Sequence, residues 1–200
     1  MVTSHAAPAG QVAPAGLEPV RELLNSWLIP NDSRVPADTF ADYAGEQGWR
    51  GREAALVREL RDDIRRAVET GEPAGLNPWI GRLGLRPAIG SNGIGSERSV
   101  SSEHSVGSEH SVGSEHRVCY QHGAGAAGDI LAAVLQAITD GTWRRLKACP
   151  DCHWVFYDHT RNGSKRWCLM YAGGPDGRAC GTIAKVRRYR ERWGTADAAG

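Results

Sequence analysis

The stretch ACPDCHWVFYDHTRNGSKRWC, residues 148–168, decides how this chain folds. It holds Cys149, Cys152 and Cys168, three of only 5 cysteines, and Cys180 follows to complete the pattern C-x2-C-x15-C-x11-C. A C-x2-C pair makes a tight turn whose backbone amides point at the sulfurs, so both thiolates reach one ion. A second pair supplied from beyond a hairpin completes a tetrahedron. Four thiolates leave no position for water, so the implied metal is one structural Zn2+ and not a catalytic one. In a module this small the metal takes the place of a hydrophobic core. Cys119, in RVCY, stands apart and reads as a buried or half-buried free thiol.

Between the cysteine pairs, HWVFYDHTRNGSKRW alternates as a hairpin does, with Trp154 and Phe156 on one face and Val155 and Tyr157 on the other. Asn162-Gly163 is a strong two-residue signal for the hairpin turn. After Cys180, GTIAKVRRYRERW repeats at helical spacing: Ile183, Val186, Tyr189 and Trp193 form one stripe, and Lys185, Arg188 and Arg192 another, with Arg187 and Arg190 beside it. A ligand at a helix N-terminus gains from the dipole, which favours a thiolate. Knuckle, hairpin and closing helix make a treble-clef-like plan. The fold class expected is α+β: an N-terminal mixed helix/strand domain over 17–142, then a C-terminal treble-clef-like four-cysteine zinc finger over 143–193, with a tail at 194–200.

Working outward, REAALVRELRDDIRRAVET is the clearest helix, with Val57, Leu60, Ile64, Ala67 and Val68 on its apolar side and Arg and Asp on the other. Gly71 and Pro73 stop it. Residues 17–29 read as a helix, or a helix then a strand, and Asp38 caps a short helix inside 38–49. LNPWIGRLGLRP begins a short helix near Asn77-Pro78 and turns toward strand. GDILAAVLQAITDG is a helix burying Ile130, Leu131, Val134, Leu135 and Ile138, ended by Gly141. Residues 1–16, rich in Ala, Pro and Gly, read as a disordered lead-in without the charged and apolar regions of a secretion signal.

A tandem repeat, GSERSV-SSEHSV-GSEHSV-GSEHRV, fills residues 95–118. Its even period would put Val100, Val106, Val112 and Val118 on one strand face. His104, His110 and His116 invite a metal reading, but Ser-Glu-His units fit a solvated low-complexity insert better. The segment reads as an expanded loop between two strands, or a lengthened hairpin, with little bearing on function.

Net charge is +1, and it conceals an asymmetry: residues 1–142 carry 12 Lys and Arg against 18 Asp and Glu, while residues 143–193 carry 12 against 4. The basic C-terminal part suits a polyanion, although a merely solvated basic surface fits the same count. No apolar run approaches membrane-spanning length, so no membrane partner is expected. A cytoplasmic location follows by default, with nucleoid association if DNA is the partner, and there the cysteines are thiols or ligands and not disulfides.

The segment from GTWRRLKAC to KVRRYRER closely resembles the CGNR zinc finger. The resemblance rests on Trp143, Leu146, Lys147, the four cysteines, Trp154, Phe156, Asp158, Arg161-Asn162, Ser164, Arg166-Trp167, Met170, Gly181, Lys185, Arg187 and Tyr189-Arg190. In that family the finger usually follows an α/β region called ABATE, and the pair is regarded as a stress-induced transcription regulator. Residues 17–142 look like that region, with Leu24-Asn25-Ser26 echoing its early Val/Leu-Asn-Thr motif. Two departures stand out. Thr182-Ile183 replaces the usual Asn-Arg after Gly181, which removes a cation from the helix start, and AGGPDGR (residues 172–178) is extra between the last two cysteines.

The expectation is therefore a zinc-dependent, stress-related DNA-binding regulator whose N-terminal region senses a ligand or holds a homodimer. Arg161, Lys165, Arg166, Lys185, Arg187, Arg188, Arg190 and Arg192 are the candidate contacts to double-stranded DNA. The competing expectations are a zinc-stabilised protein-interaction module without DNA binding and a redox-responsive zinc switch. Enzyme readings fare poorly. Asp158-His159 with Asn162 suggests an HNH-type nuclease, but no His follows His159 to hold its metal. A nucleobase deaminase needs H-x-E, which does not occur. No catalytic residue is assigned.

Overall fold

Residues 11–30, 33–91, 116–169 and 179–194 are described by the computed structural model, in which three two-stranded antiparallel sheets are set among helices. Helix α1 (Glu18–Leu24) carries Pro19 in its first turn, where a missing N–H leaves no bond unmade. Strand β1 (Trp27–Leu28) follows and pairs with β2 (Ala37–Asp38), so helix-then-strand is the form that 17–29 takes. Helix α2 (Phe40–Glu46) has Thr39 at its N-cap position. Asp38 still closes the first turn, its carboxylate accepting the Phe40 N–H at 3.0 Å.

Helix α3 (Gly51–Thr70) ends at Gly71, whose φ of +77° is the left-handed value that glycine adopts without strain. Val57, Leu60, Ile64, Ala67 and Val68 are buried, as their spacing predicts. Arg61 and Arg65 are buried with them, which corrects the expectation that the arginines face away. Each lies one step round the helix from an apolar position, and each finds acceptors inside. Arg61 donates to both Asp38 carboxylate oxygens, at 2.8 and 3.0 Å, and to Ser26 Oγ at 3.0 Å. Arg65 donates to the carbonyls of Leu24 (2.6 Å) and Trp27 (2.9 Å), acceptors left over where α1 ends.

A 3-10 turn (Pro73–Leu76) leads into α4 (Asn77–Arg82), then β3 (Arg86–Ser91) and β4 (His116–Gln121) pair with Ile89 opposite Val118. The repeat ends inside β4, and its expectations for Val100, Val106, Val112 and for the His104, His110 and His116 side chains fall outside what is described; Val118 is exposed. Helix α5 (Gly125–Thr139) buries Ile130, Leu131, Val134 and Ala137 and leaves Leu135 and Ile138 half-buried; Gly141, φ +70°, follows its end.

Strands β5 (Leu146–Ala148) and β6 (Val155–Tyr157) form the last antiparallel pair, and α6 (Cys180–Gly194) closes the chain's described part. One apolar core runs through α1, α3, α4 and α5 and continues into Trp143, Leu146, Val155 and Tyr157. The lead-in expected over 1–16 is packed from residue 11: Gln11 and Ala13 are buried. No helix among the described residues is long and apolar enough to cross a membrane.

Candidate metal centre

The period-2 alternation of β6 divides two cores. Val155 and Tyr157 point into the helical body, while Phe156 joins Cys149, Cys152, Cys168 and Cys180 in a second cluster, with Trp154 and Trp167 packed against it. The expected sidedness of Trp154–Tyr157 is thus met, but the hairpin is a different one. β6 pairs back onto β5, so the turn is the knuckle Cys149–His153 and not Asn162-Gly163. The knuckle closes by Cys149 N–H to Trp154 O (2.9 Å) and His153 N–H to Cys149 O (2.8 Å), with His153 at φ +59°. Gly163 does turn the chain, at φ +57°, but among the described residues no strand follows it before Cys180. The local Asn-Gly signal was correct about the turn and silent about which strands pair.

The four sulfurs all lie within 4.8 Å of one another and the four residues are buried. Cys152 and Cys168 Sγ are 3.5 Å apart, and Cys168 and Cys180 Sγ 3.7 Å. These are not disulfide lengths, which are about 2.05 Å. They are the edges of a tetrahedron: zinc–sulfur bonds of about 2.3 Å imply sulfur–sulfur separations of about 3.8 Å. The donor set is also electrostatically incomplete alone. Hydrogen bonds from Cys152 and Cys168 hold the Cys149 thiol well below its ordinary range, while the Cys180 thiol is pushed up by Cys149 and its neighbours. Four thiolates this close need a cation between them. The cluster is the site of one structural zinc ion, which when bound neutralises and ties together four separated points of the chain.

Cys180 is the first residue of α6, so the helix dipole opposes that rise in its thiol pKa. Gly181 N–H donates to Leu169 O at 3.0 Å and fastens the helix start to the third ligand's neighbour. Asp158 holds the segment between the second and third ligands. Its carboxylate is fully buried and accepts from Lys147 Nζ (2.8 Å), Thr160 N (2.9 Å), Thr160 Oγ1 (2.6 Å) and Lys165 N (2.8 Å). Burial alone would raise its pKa, but the Lys147 ammonium and the Thr160 and Lys165 donors outweigh it and hold the carboxyl far below the usual carboxylate range.

The knuckle and the outer edge of β6 are covered by the body, through residues that spacing did not single out. Asn25 grips Val155 from both sides of its side-chain amide, accepting its N–H at 2.7 Å and donating to its carbonyl at 2.9 Å. Gln11 accepts from Tyr157 N–H through its backbone and from Trp154 Nε1 (2.9 Å) through its side chain, and donates to Cys168 O at 2.7 Å. The knuckle carbonyls of Asp151, Cys152 and His153 accept from Arg34 Nη2 (2.7 Å), Ile29 N–H (2.9 Å) and Arg65 Nη2 (3.0 Å). The one signal available for this docking was Leu24-Asn25-Ser26, all three of which serve it or the Arg61 and Arg65 network.

The candidate nucleic-acid cations fall in two places. Lys185, Arg187, Arg188, Arg190 and Arg192 lie exposed along α6, and Arg161 and Arg166 are exposed on the loop after β6. Lys165 is half-buried, its ammonium 5.1 Å above the Phe156 ring. Residues 172–178 of the extra loop lie outside the described residues. No curated protein matches the chain. A family model described as the CGNR zinc finger matches residues 145–193, so this quarter of the chain is a zinc-binding CGNR-type finger built on Cys149, Cys152, Cys168 and Cys180.

Proposed function

We propose that this protein is a zinc-dependent regulator of transcription that binds double-stranded DNA through its finger. The observation carrying the reading is the division of the finger's surface. The body covers the knuckle and the outer edge of β6, whereas Lys185 to Arg192 of α6 stay exposed and strongly cationic. A finger that served only to cap the body would have no use for such a helix, and phosphates are its natural partner. The finger's plan in this reading is treble-clef-like: knuckle, short hairpin, and a helix begun by the last ligand. Residues 17–142 are an ABATE-like region that senses a stress-related ligand or holds a homodimer, supported by the placement of Leu24-Asn25-Ser26 at the junction with the finger. The protein acts in the cytoplasm, at the nucleoid, and catalyses no reaction.

The test is retention on a random-sequence duplex measured against salt. If about six cations engage phosphates, log affinity falls against log salt with a slope near −5. Binding should vanish in Cys149→Ser or after zinc chelation, and in the triple variant Arg187→Ala, Arg188→Ala, Arg190→Ala with its zinc content intact. Duplex affinity that survives zinc removal would show that the finger is not the DNA-binding element.

A further inference from the structure

The exposed side of α6 is chemically divided. At about 100° per residue, Tyr189 lies diametrically opposite Cys180, and Val186 lies beside it. Lys185 and Arg192 run along one flank of this pair, with Arg188 further round, and Arg190 lies on the other. Arg187 and Glu191 return to the Cys180 side. Burial agrees with this geometry: Ile183 and Ala184, on the zinc side, are half-buried, while Val186 is 43 % and Tyr189 63 % exposed. An apolar ridge one or two side chains wide, bordered by cations, therefore projects away from the finger.

Resting on the DNA reading above, we infer that α6 is the sequence-reading element, lying in the major groove with Val186 and Tyr189 against thymine methyl groups and its flanking cations on the phosphates. The dimensions allow it: a helix with side chains is about 10–12 Å across, and the B-DNA major groove is about 12 Å wide, whereas the A-form major groove is too narrow for side chains to read. Charge selects the occupant. A second copy of α6 would bring five cations against five, and only Glu191 offers compensation. A polyanion with apolar groups at the groove floor satisfies both the ridge and its borders. Thymine is the base that presents such a group, its C5 methyl.

The experiment uses the full zinc-loaded chain. Duplexes with a random core are enriched for binding, and the winning site is remade with deoxyuridine in place of each thymine in turn, which deletes only the methyl. At the thymines under the ridge, this weakens the unaltered protein about fourfold, the value of one buried methyl-sized group. The double variant Val186→Ala, Tyr189→Ala, with unchanged zinc content and helix signal, loses that response and most of the sequence preference. Arg188→Gln lowers the salt slope by about 1 without changing the enriched sequence. Uridine substitution without effect on the unaltered protein overturns the inference even if the double variant fails to fold. So does a double variant that enriches the same sequence, or preferential binding of RNA. An unaltered protein with no duplex affinity at physiological salt instead overturns the DNA reading itself.

Discussion

Asp38 and Asp158 each pair with a cation, Asp38 with the buried Arg61 and the buried Asp158 with a half-buried Lys147, and they illustrate what a sequence conceals at the scale of a residue. Asp38 faces Arg61, whose side chain is 1 % exposed. The Arg61 hydrogen bonds lower the Asp38 pKa to about 2, against burial, with help from the Phe40 N–H. Asp38→Asn leaves Arg61 with Asp62 and Ser26 only, and should cost about 2–3 kcal/mol in denaturant unfolding. The sign of its pH dependence is fixed. A carboxyl depressed in the folded state contributes fully above its unfolded pKa of about 3.9 and loses that contribution as pH falls toward the folded value. The stability gap between the native protein and Asp38→Asn should stay flat from pH 8 to 5 and narrow below about pH 4. A gap that widens in acid would mean the pair is not what Asp38 supplies. The cysteines were legible because ligand spacing is local. Gln11 and Arg65 were not, because each acts on a residue more than eighty positions away and nothing beside them in the chain announces it, while Asn25 was marked only by its motif.

At the scale of the element, α6 and the β5–β6 hairpin were read with different success. Hydrophobic period alone located α6, since a helix is a local structure, but the expected apolar stripe is not one buried face: Ile183 is half-buried, whereas Val186 and Tyr189 are exposed. The same logic placed the side chains of β6 correctly but chose the wrong turn, because strand pairing is settled by a partner elsewhere: Leu146–Ala148 lies before the knuckle. The Gly163 carbonyl accepts from the Lys147 ammonium, and its missing side chain serves conformation alone. Nothing lies within 4 Å of the position a Cβ would take, and φ is +57°. Gly163→Ala should therefore cost about 1 kcal/mol with the metal site undisturbed, measured as a drop in unfolding free energy at constant zinc content. Helix α6 makes a stronger prediction. Lys185 and Arg188, and Arg188 and Arg192, are like charges three and four apart on a helix whose later turns are exposed, and such pairs oppose helix formation. Screening or phosphate contact relieves the repulsion. Far-UV circular dichroism should gain helix signal when salt is raised to 1 M, and again when duplex is added at low salt. A signal indifferent to both would mean that the helix is held by something other than its own turns.

At the scale of the whole molecule, the zinc finger is not an appendage. Trp143, Leu146, Val155 and Tyr157 belong to the same apolar core as α1, α3, α4 and α5, although the change in charge at residue 143 had suggested a boundary there. Charge reports on surfaces, and the join is made of buried apolar groups and backbone hydrogen bonds, to which a charge count is blind. Arg65 is the clearest bolt: 5 % exposed, it ties the end of α1, β1 and the knuckle carbonyl of His153 to α3, with its guanidinium 4.5 Å from the Trp27 ring centroid. The zinc ion and the body should consequently stabilise each other, since whatever binds the folded state alone shifts folding by its own binding free energy. Zinc chelation should raise amide hydrogen exchange in residues 23–29 and 61–69, far from any ligand in sequence, and not only in 146–168. In the reverse direction, Arg65→Met keeps the length of the side chain but leaves three carbonyls without this donor. It should lower unfolding stability by about 2–4 kcal/mol and speed zinc release to a competing chelator, while Arg66→Met, an exposed neighbour, should do neither. Exchange confined to the finger after chelation, with zinc release unchanged in Arg65→Met, would mean that the shared core packs the two parts together without coupling them.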